Sequence, residues 1–223
     1  MDSNFWDERY QKKELVWSAG PNRFLVEEVS SLPPGRALDL ACGEGRNALW
    51  LAEQGWQVSA SDFSPVAVEK AKTRASELSL DIDFHVADAT DPIEGSFDLI
   101  IIFYLHLPRN QNKACLANAI KALSKGGTLL YVGHDERNIK EGIGGPQDPS
   151  ILFGLSEFGS LLNELKIIRA ESLEITLHKE ASTHTSLDIL VRAQKPEPRA
   201  LSFALTKISQ QVYSVPLIPA KLS

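Results

Sequence analysis

Apolar runs alternate with helix-like segments along most of this chain, and the alternation constrains the fold more than any other feature. The clearest unit is "RALDLACGEGRNALWLAEQGW" at residues 36–56, where an apolar run passes through small residues and glycine into a helical pattern. Strands that alternate with helices favour a parallel sheet in an α/β protein. The sequence therefore predicts a doubly wound α/β domain.

Seven segments have the pattern of strands. Five alternate with helical segments: "RALDLA", "WQVSASD", "IDFHVAD", "FDLIIIFY" and "GGTLLYVGH". The fourth is continuous enough to be buried on both faces. The last two, "KIIRAESLEITL" and "HTSLDILVRA", follow each other through a polar turn and predict an antiparallel edge. We expect a seven-stranded, mostly parallel sheet with an antiparallel C-terminal strand.

The chain divides into one domain and a tail. Residues 1–193 are expected to form the domain, with residues 1–34 as an N-terminal helical cap that ends at a Pro-Pro-Gly stop. From residue 194 the composition changes: "QKPEPR" is typical of a linker, and the segment after it has no acidic residue. Residues 194–223 are therefore predicted to be a linker and tail.

Composition narrows the class of partner. The net charge of −6 among 223 residues gives no reason to expect nucleic acid as a partner. The two cysteines, Cys42 and Cys115, form neither a disulfide framework nor a recognisable metal site. The N-terminus lacks a signal-peptide core, and the apolar run at 99–107 is about half of a membrane span. We expect a cytoplasmic monomer or homodimer that acts on a small molecule, without a metal.

The turn between the first strand and helix fits two kinds of ligand. Gly43, Gly45 and Ala48 match the G-x-G-x-x-G/A dinucleotide pattern, and Asp62 follows where an acidic residue grips a ribose diol. Asp39, however, lies inside the first strand, where its negative charge would repel a pyrophosphate. Glu44 would add a second negative charge, and position 41 is not glycine. A ligand with a cationic centre and an amino group suits this turn better, and S-adenosylmethionine has both.

Four segments resemble, in order, the motifs of the class I S-adenosylmethionine-dependent methyltransferases. They are "ALDLACGEG", "SASDFS", "HVADAT" and "FDLIIIFYLHLP". The resemblance covers residues 15–193 and implies a three-layer Rossmann-like sheet. Ala41 is a departure, since glycine is commoner there. A nicotinamide-dependent oxidoreductase and a catalytically inactive cofactor-binding interaction protein stay open as alternatives.

A closer resemblance is to bacterial tellurite-resistance and thiopurine methyltransferase-like proteins. It rests on "VWSAGPNRFL", "ACGEGRNALWLAEQGW" and "EGIGGPQDPSILF". In such relatives an aromatic residue and an arginine before the first strand help to cover the cofactor. Together, the resemblances imply these cofactor-binding residues: Trp17, Arg23, Asp39, Ala41, Gly43, Gly45, Asn47, Asp62, Phe63, Asp88, Ala89 and Phe103.

Tyr104, His106 and His134 are the candidate catalytic residues. They follow the fourth and fifth strands, where the methyl group should point, and a histidine could accept a proton from the acceptor. An already ionised acceptor would need only alignment. The sequence favours alignment, because no carboxylate accompanies His106 and Asp135 adjoins His134 rather than facing it. The segment 141–149, rich in glycine and proline, is predicted to be a lid over the acceptor.

Overall fold

The computed structural model describes residues 3–12, 15–16, 18–179 and 182–197. The helices are α1 (Ser3–Gln11), α2 (Arg23–Val29), α3 (Arg46–Glu53), α4 (Pro65–Glu77), α5 (Arg109–Ala122), α6 (Asn138–Glu141) and α7 (Leu155–Leu161). The strands are β1 (Arg36–Leu40), β2 (Gln57–Asp62), β3 (Ile82–Val86), β4 (Phe97–Phe103), β5 (Leu123–His134), β6 (Lys166–Lys179) and β7 (Ser182–Gln194). Trp17 and residues 198–223 lie outside the described residues.

The seven strands form one sheet in the order β3-β2-β1-β4-β5-β7-β6. β7 pairs antiparallel with both β5 and β6, whereas β1 to β5 pair in parallel. The predicted fold class is therefore confirmed. The antiparallel strand lies inside the sheet, however, and β6 forms the edge. Strand order reverses between β1 and β4, which is where sheets of this kind bind ligands.

Local sequence explains the elements that border this switch point. The continuous apolar run of β4 is buried, with Ile100 and Ile101 fully enclosed between the two helical layers. α4 begins at Ser64, whose hydroxyl accepts a hydrogen bond from the Ala67 amide at 3.1 Å, followed by Pro65 in the first turn. These signals fix where the strand ends and the helix begins.

Helices cover both faces of the sheet. One core packs α2, α3 and α4 against the sheet, and the other packs α5 and α7 against the opposite face. Each fully buried aliphatic side chain contributes roughly 1.5–3 kcal/mol from burial alone. The carboxyl ends of β1, β2, β4 and β5 lie together at one edge of the sheet. The turn at 41–45 and the segments 104–106 and 134–138 lie along this edge.

The C-terminal end of the described chain is attached to α5. The Lys195 ammonium donates to the carbonyls of Ile120 at 2.9 Å and Leu123 at 2.7 Å, which satisfies groups at the end of that helix. The division into a domain of residues 1–193 and a tail stays a prediction, since residues 198–223 are not described.

Candidate active site

The glycine turn brings β1 against α3 and α4 with little space to spare. Ala41 has a φ of +63°, which explains why glycine is the commoner residue there. A Cβ at Gly45 would lie 2.9 Å from the Ala71 Cβ of α4, and one at Gly43 would lie 2.9 Å from the Tyr10 hydroxyl. The turn therefore needs small residues both for helix packing and for the close approach of α1.

Asp39 presents a buried carboxylate that lacks a donor. The residue is 1% exposed, and neither carboxylate oxygen has a hydrogen-bond partner among the described residues. The pKa of Asp39 is raised to about 7, mainly by burial and in smaller part by the charge of Asp62. The Ala48 amide lies close enough to lower the pKa in part but does not meet hydrogen-bond geometry, and Arg46 also lowers it. Such an acid is suited to a cationic or amine ligand.

Asp62 holds the turn while keeping acceptor capacity. Its two oxygens accept hydrogen bonds from the Gly43 amide at 2.8 Å and the Ser64 amide at 2.9 Å. Burial raises the pKa of Asp62, and these two amides act in the opposite direction. Each carboxylate oxygen has a further lone pair. Asp62 could therefore accept two hydroxyl groups, as a ribose diol requires.

Glu44 does not present its charge to a ligand, contrary to the expectation from sequence. Its side chain is 3% exposed and pairs with the Lys70 ammonium at 2.8 Å. The second carboxylate oxygen accepts a hydrogen bond from the Val16 amide at 2.9 Å. Glu44 therefore fastens the segment before α2 to the turn. The electrostatic case against a pyrophosphate rests on Asp39 alone.

The N-terminal helix α1 covers the glycine turn. Lys70 donates to the Tyr10 carbonyl at 2.9 Å, and the Ser64 hydroxyl bonds to the Asp7 carboxylate. Tyr10 is itself buried, with its hydroxyl beside Gly43. Sequence reasoning missed Tyr10 as a site residue. The signal was its place in an aromatic, amphipathic stretch of the expected cap.

The other expected cofactor residues are distributed around this turn. The Asn47 side chain accepts a hydrogen bond from the Asn22 amide at 2.9 Å, which ties the start of α2 to α3. Asp88 is exposed and accepts from both the amide and the hydroxyl of Thr90. Ala89 and Phe103 are buried, and Phe63 is half-buried. These positions stay predictions for cofactor binding.

Two predicted cofactor-binding residues, Arg23 and Trp17, are not placed by the structure beside the glycine turn. Arg23 is exposed at the start of α2, with its guanidinium 4.6 Å from the centre of the Phe24 ring. The structure thus places it outside the enclosed part of the turn. Trp17 is not among the described residues. A cofactor contact from either residue stays a prediction.

Tyr104 and His134 meet at a buried carboxylate that the sequence analysis did not identify. Asp188 of β7 is 3% exposed and accepts a hydrogen bond from the Tyr104 hydroxyl at 2.6 Å. Its other oxygen lies 2.8 Å from His134 Nδ1 and also accepts from the Ser186 hydroxyl at 3.3 Å. The sequence analysis considered only Asp135 as a partner for His134 and so missed Asp188. The two residues meet because β5 and β7 are antiparallel neighbours that pair His134 with Asp188.

This carboxylate determines the tautomer of His134. Because an ionised carboxylate only accepts, the imidazole donates through Nδ1–H and leaves a lone pair on Nε2. Asp135, by contrast, accepts from Arg137 and from the Ser172 hydroxyl at 2.7 Å. The pKa of Asp135 is accordingly lowered by these hydrogen bonds, against the raising effect of burial. Asp135 therefore stabilises the loop after β5 and is not a partner of the His134 ring.

His106 and Tyr104 are held in fixed protonation states. His106 Nε2 accepts a hydrogen bond from the His134 backbone amide at 3.3 Å, and the two rings stack at 5.4 Å. Burial, followed by the charge of His134, lowers the pKa of His106 to about 4, so the ring is neutral at pH 7. Burial and Asp188 raise the pKa of Tyr104, so the hydroxyl remains a donor. The backbone at Tyr104 has a φ of +54°, a strained conformation often found at functional sites.

A glycine of the expected lid lies directly against His134. A Cβ at Gly145 would be 2.4 Å from His134 Cδ2 and 2.8 Å from Nε2. The fully buried Asn138 anchors this loop: its amide donates to the Gly144 carbonyl at 2.9 Å and accepts from the Leu187 amide at 2.7 Å. The loop thus covers the imidazole edge without a side chain. Its action as a lid stays a prediction.

The described ranges hold no group of three or more His, Cys, Asp or Glu side chains arranged around a metal position. Every helix in those ranges is too short or too polar to cross a membrane.

A family model, curated relatives and solved structures all match this chain. The family model described as a methyltransferase domain matches residues 37–127. Magnesium-protoporphyrin O-methyltransferase of Rhodobacter capsulatus is 34% identical over 100 residues, which are 43% of this chain and 45% of that protein. The chain spans about half the length of the curated relatives that it matches.

Two solved structures share the fold. TehB from Haemophilus influenzae superposes with a TM-score of 0.68 at 19% identity, covering 86% of this chain and 66% of TehB. The N-methyltransferase NodS from Bradyrhizobium japonicum, in complex with S-adenosyl-L-homocysteine, superposes with a TM-score of 0.67 at 20% identity, covering 88% of this chain and 100% of NodS. The expected likeness to the tellurite-resistance group is confirmed at the level of the fold. Residues 37–127 therefore match the methyltransferase-domain family model, and the chain shares its fold with solved methyltransferases such as NodS.

Proposed function

We propose that this chain transfers the methyl group of S-adenosylmethionine to a small-molecule acceptor. The observation that carries the proposal is Asp39, a buried carboxylate near the end of β1 that accepts no hydrogen bond from the described part of the chain. An unpartnered buried carboxylate costs free energy that a cationic amino group would recover. S-adenosylmethionine carries such a group, beside a sulfonium that supplies an electrophilic methyl.

Asp62 supports the same assignment from the other side of the turn. Its oxygens already accept from two backbone amides and so are fixed in position, with lone pairs left for a ribose diol. The cofactor would then lie between Asp39 and Asp62, over Gly43 and under α1. The remaining residues named from the resemblance would line the adenine and the methionine part.

The two alternatives are less well supported. A nicotinamide dinucleotide would bring a pyrophosphate to Asp39, whose carboxylate forms no ion pair with any residue that the structure describes. An inactive cofactor-binding protein would have no need for a buried group of Tyr104, His134 and Asp188 at the carboxyl edge of the sheet. The comparisons give no support to either alternative.

Methyl transfer requires mainly that the acceptor be aligned with the methyl group and that water be excluded. We propose Tyr104, His106 and His134 for the acceptor side, with the segment 141–149 as a lid above them. The cytoplasm remains the proposed location, and the free, buried Cys42 and Cys115 suit its reducing conditions. A monomer or homodimer remains the proposed state.

Titration calorimetry of the full chain tests this function. S-adenosyl-L-homocysteine should bind and NAD should not. Asp39→Asn keeps the shape but removes the charge, and it should weaken binding roughly 10- to 100-fold, as expected for a charged hydrogen bond of about 1.5–3 kcal/mol.

Asp83→Asn is the matched control, because Asp83 is an exposed carboxylate that pairs with His85 on β3. It should leave the affinity unchanged. Binding of NAD in place of S-adenosyl-L-homocysteine would instead support the oxidoreductase, and equal affinities of wild type and Asp39→Asn would refute the role of Asp39.

A further inference from the structure

A histidine and a carboxylate at the ends of β5 and β7 have the arrangement of a general base and its positioning group. His134 Nδ1 lies 2.8 Å from an Asp188 oxygen, and both residues are held by paired strands. The side chain of His134 is 17% exposed, whereas that of Asp188 is 4% exposed. Nε2 has no hydrogen-bond partner among the residues that the structure describes. The free nitrogen is therefore the one that points away from the carboxylate.

We propose that His134 Nε2 removes a proton from the acceptor and that Asp188 positions His134 for this step. The acceptor would therefore carry a proton on the atom that is methylated, as a hydroxyl or a thiol does. This inference rests on the proposed methyl transfer and narrows its substrate to protic nucleophiles. It departs from the expectation, formed on the sequence, that alignment alone suffices.

The step balances in atoms and charge. The acceptor oxygen or sulfur forms a bond to the methyl carbon, and the carbon–sulfonium bond breaks with its electron pair left on sulfur. The acceptor proton moves to Nε2. His134 becomes an imidazolium whose positive charge faces the Asp188 carboxylate, and it later returns the proton to solvent. No oxidant, metal or further co-reactant is needed.

The surroundings of Asp188 suit it to this task. Tyr104, Ser186 and His134 donate to it, so the buried carboxylate is fully hydrogen-bonded before any proton moves. Such preorganised acceptors stabilise a charge that develops during reaction without reorganising. Tyr104 also links this group to the cofactor side, because the Arg46 guanidinium and the Asn22 side chain act on its hydroxyl. Tyr104 is thus a second positioning residue.

His106 is the less suitable base. Its Nε2 already accepts the His134 amide, and its neutral ring stacks at 7° to that of His134. The charged or titratable groups around His134 are then Asp188 from β7, Tyr104 and His106 after β4, and Arg46 from α3 by way of Tyr104. A neutral neighbour at His106 leaves Asp188 as the only charge in direct contact among the described residues.

Kinetics on acceptors of graded acidity test the inference. The probes are substituted thiophenols and phenols, with iodide as a nucleophile that has no proton. For a protic acceptor, His134→Gln should lower kcat roughly 10²- to 10⁴-fold. Asp188→Asn should lower it by a similar factor, because an amide favours the wrong imidazole tautomer. The loss should shrink as the acceptor becomes more acidic, and iodide should show almost none.

Controls separate this inference from the proposed function. S-adenosyl-L-homocysteine affinity should stay within about twofold in both variants, so a failure to bind at all would count against the proposed function instead. His85→Gln and Asp83→Asn break an exposed histidine–carboxylate pair with a 2.9 Å contact and should leave kcat unchanged. Equal losses of kcat on thiophenols and on iodide would overturn the role of His134 as the base. Turnover of iodide alone by the wild type would overturn it as well.

A second measurement requires no acceptor. Long-range ¹H–¹⁵N spectra of the labelled full chain report which imidazole nitrogen carries the proton, and His134→Gln identifies the signal. Wild-type protein at pH 8 should show Nδ1 protonated and Nε2 bare, and Asp188→Asn should reverse this. A wild-type His134 protonated on Nε2 would overturn the inference.

Discussion

Gly145→Ala should displace His134 and lower kcat without changing the affinity for the cofactor. The added Cβ would lie 2.4 Å from His134 Cδ2, whereas an ordinary contact needs at least 3.4 Å, so the imidazole or the loop must move by about 1 Å. The loop cannot yield freely, because Asn138 holds it to β7. A misplacement of about 1 Å in a catalytic group can cost on the order of 10²-fold in rate. We expect a kcat loss of that size.

Gly144→Ala is the matched control for this prediction. Both glycines have positive φ, +77° at Gly144 and +70° at Gly145, so alanine costs similar backbone strain, roughly 1–2 kcal/mol. Nothing lies within 4 Å of a Cβ at Gly144. The strain common to both variants should lower the melting temperature by roughly 2–8 °C, and the overlap with His134 should lower it further in Gly145→Ala. Only Gly145→Ala should lose turnover at a temperature where both variants are folded.

The assay is kcat on a thiophenol that the wild type methylates, with S-adenosyl-L-homocysteine affinity and melting temperature measured on the same samples. Equal kcat values for the two alanine variants, measured below both melting temperatures, would refute the claim that this loop sets the position of His134. A selective loss of cofactor affinity in Gly145→Ala would also contradict it.

Three other predictions concern the cofactor side. The folded state raises the pKa of Asp39 to about 7 from 3.8, so the folded protein holds a proton that the unfolded chain releases first. Between about pH 4 and pH 7, the free energy of unfolding of the wild type should therefore fall by up to about 4 kcal/mol relative to that of Asp39→Asn, as measured by urea titration at each pH. Parallel curves of unfolding free energy against pH would argue against this. Asp62→Ala should weaken S-adenosyl-L-homocysteine by roughly 2–4 kcal/mol in calorimetry and Asp62→Asn by less, and an unchanged affinity in the alanine variant would exclude this binding mode. Lys70→Met removes the contacts to Glu44 and to the Tyr10 carbonyl, so hydrogen exchange in α1 should accelerate roughly tenfold, whereas the exposed Lys72→Met on the same helix should have no effect.

The sequence predicted the features that depend on neighbours along the chain. Alternating apolar and helical segments define β1 to β5 and the helices between them, and Ser64-Pro65 marks the start of α4. Ala41 was identified as a departure from glycine, and its φ of +63° gives the reason. These features follow from local propensity and from the periodicity of apolar residues.

The features that the sequence missed depend on contacts between distant segments. Asp188 lies opposite His134 only because β7 enters the sheet between β5 and β6 in one register, and a shift by one residue would turn it to the other face. Glu44 is neutralised by Lys70, and Tyr10 covers Gly43, across 26 and 33 positions of chain. No periodic pattern encodes such pairings.

A crystal structure of the full chain with S-adenosyl-L-homocysteine tests the central claim most directly. We expect both ribose hydroxyls within hydrogen-bond distance of Asp62, and the amino group on the side of Asp39, bound directly or through one water. The sulfur should point toward the edge that holds Tyr104 and His134. A ligand bound away from the glycine turn, or one whose sulfur faces away from His134, would contradict this account.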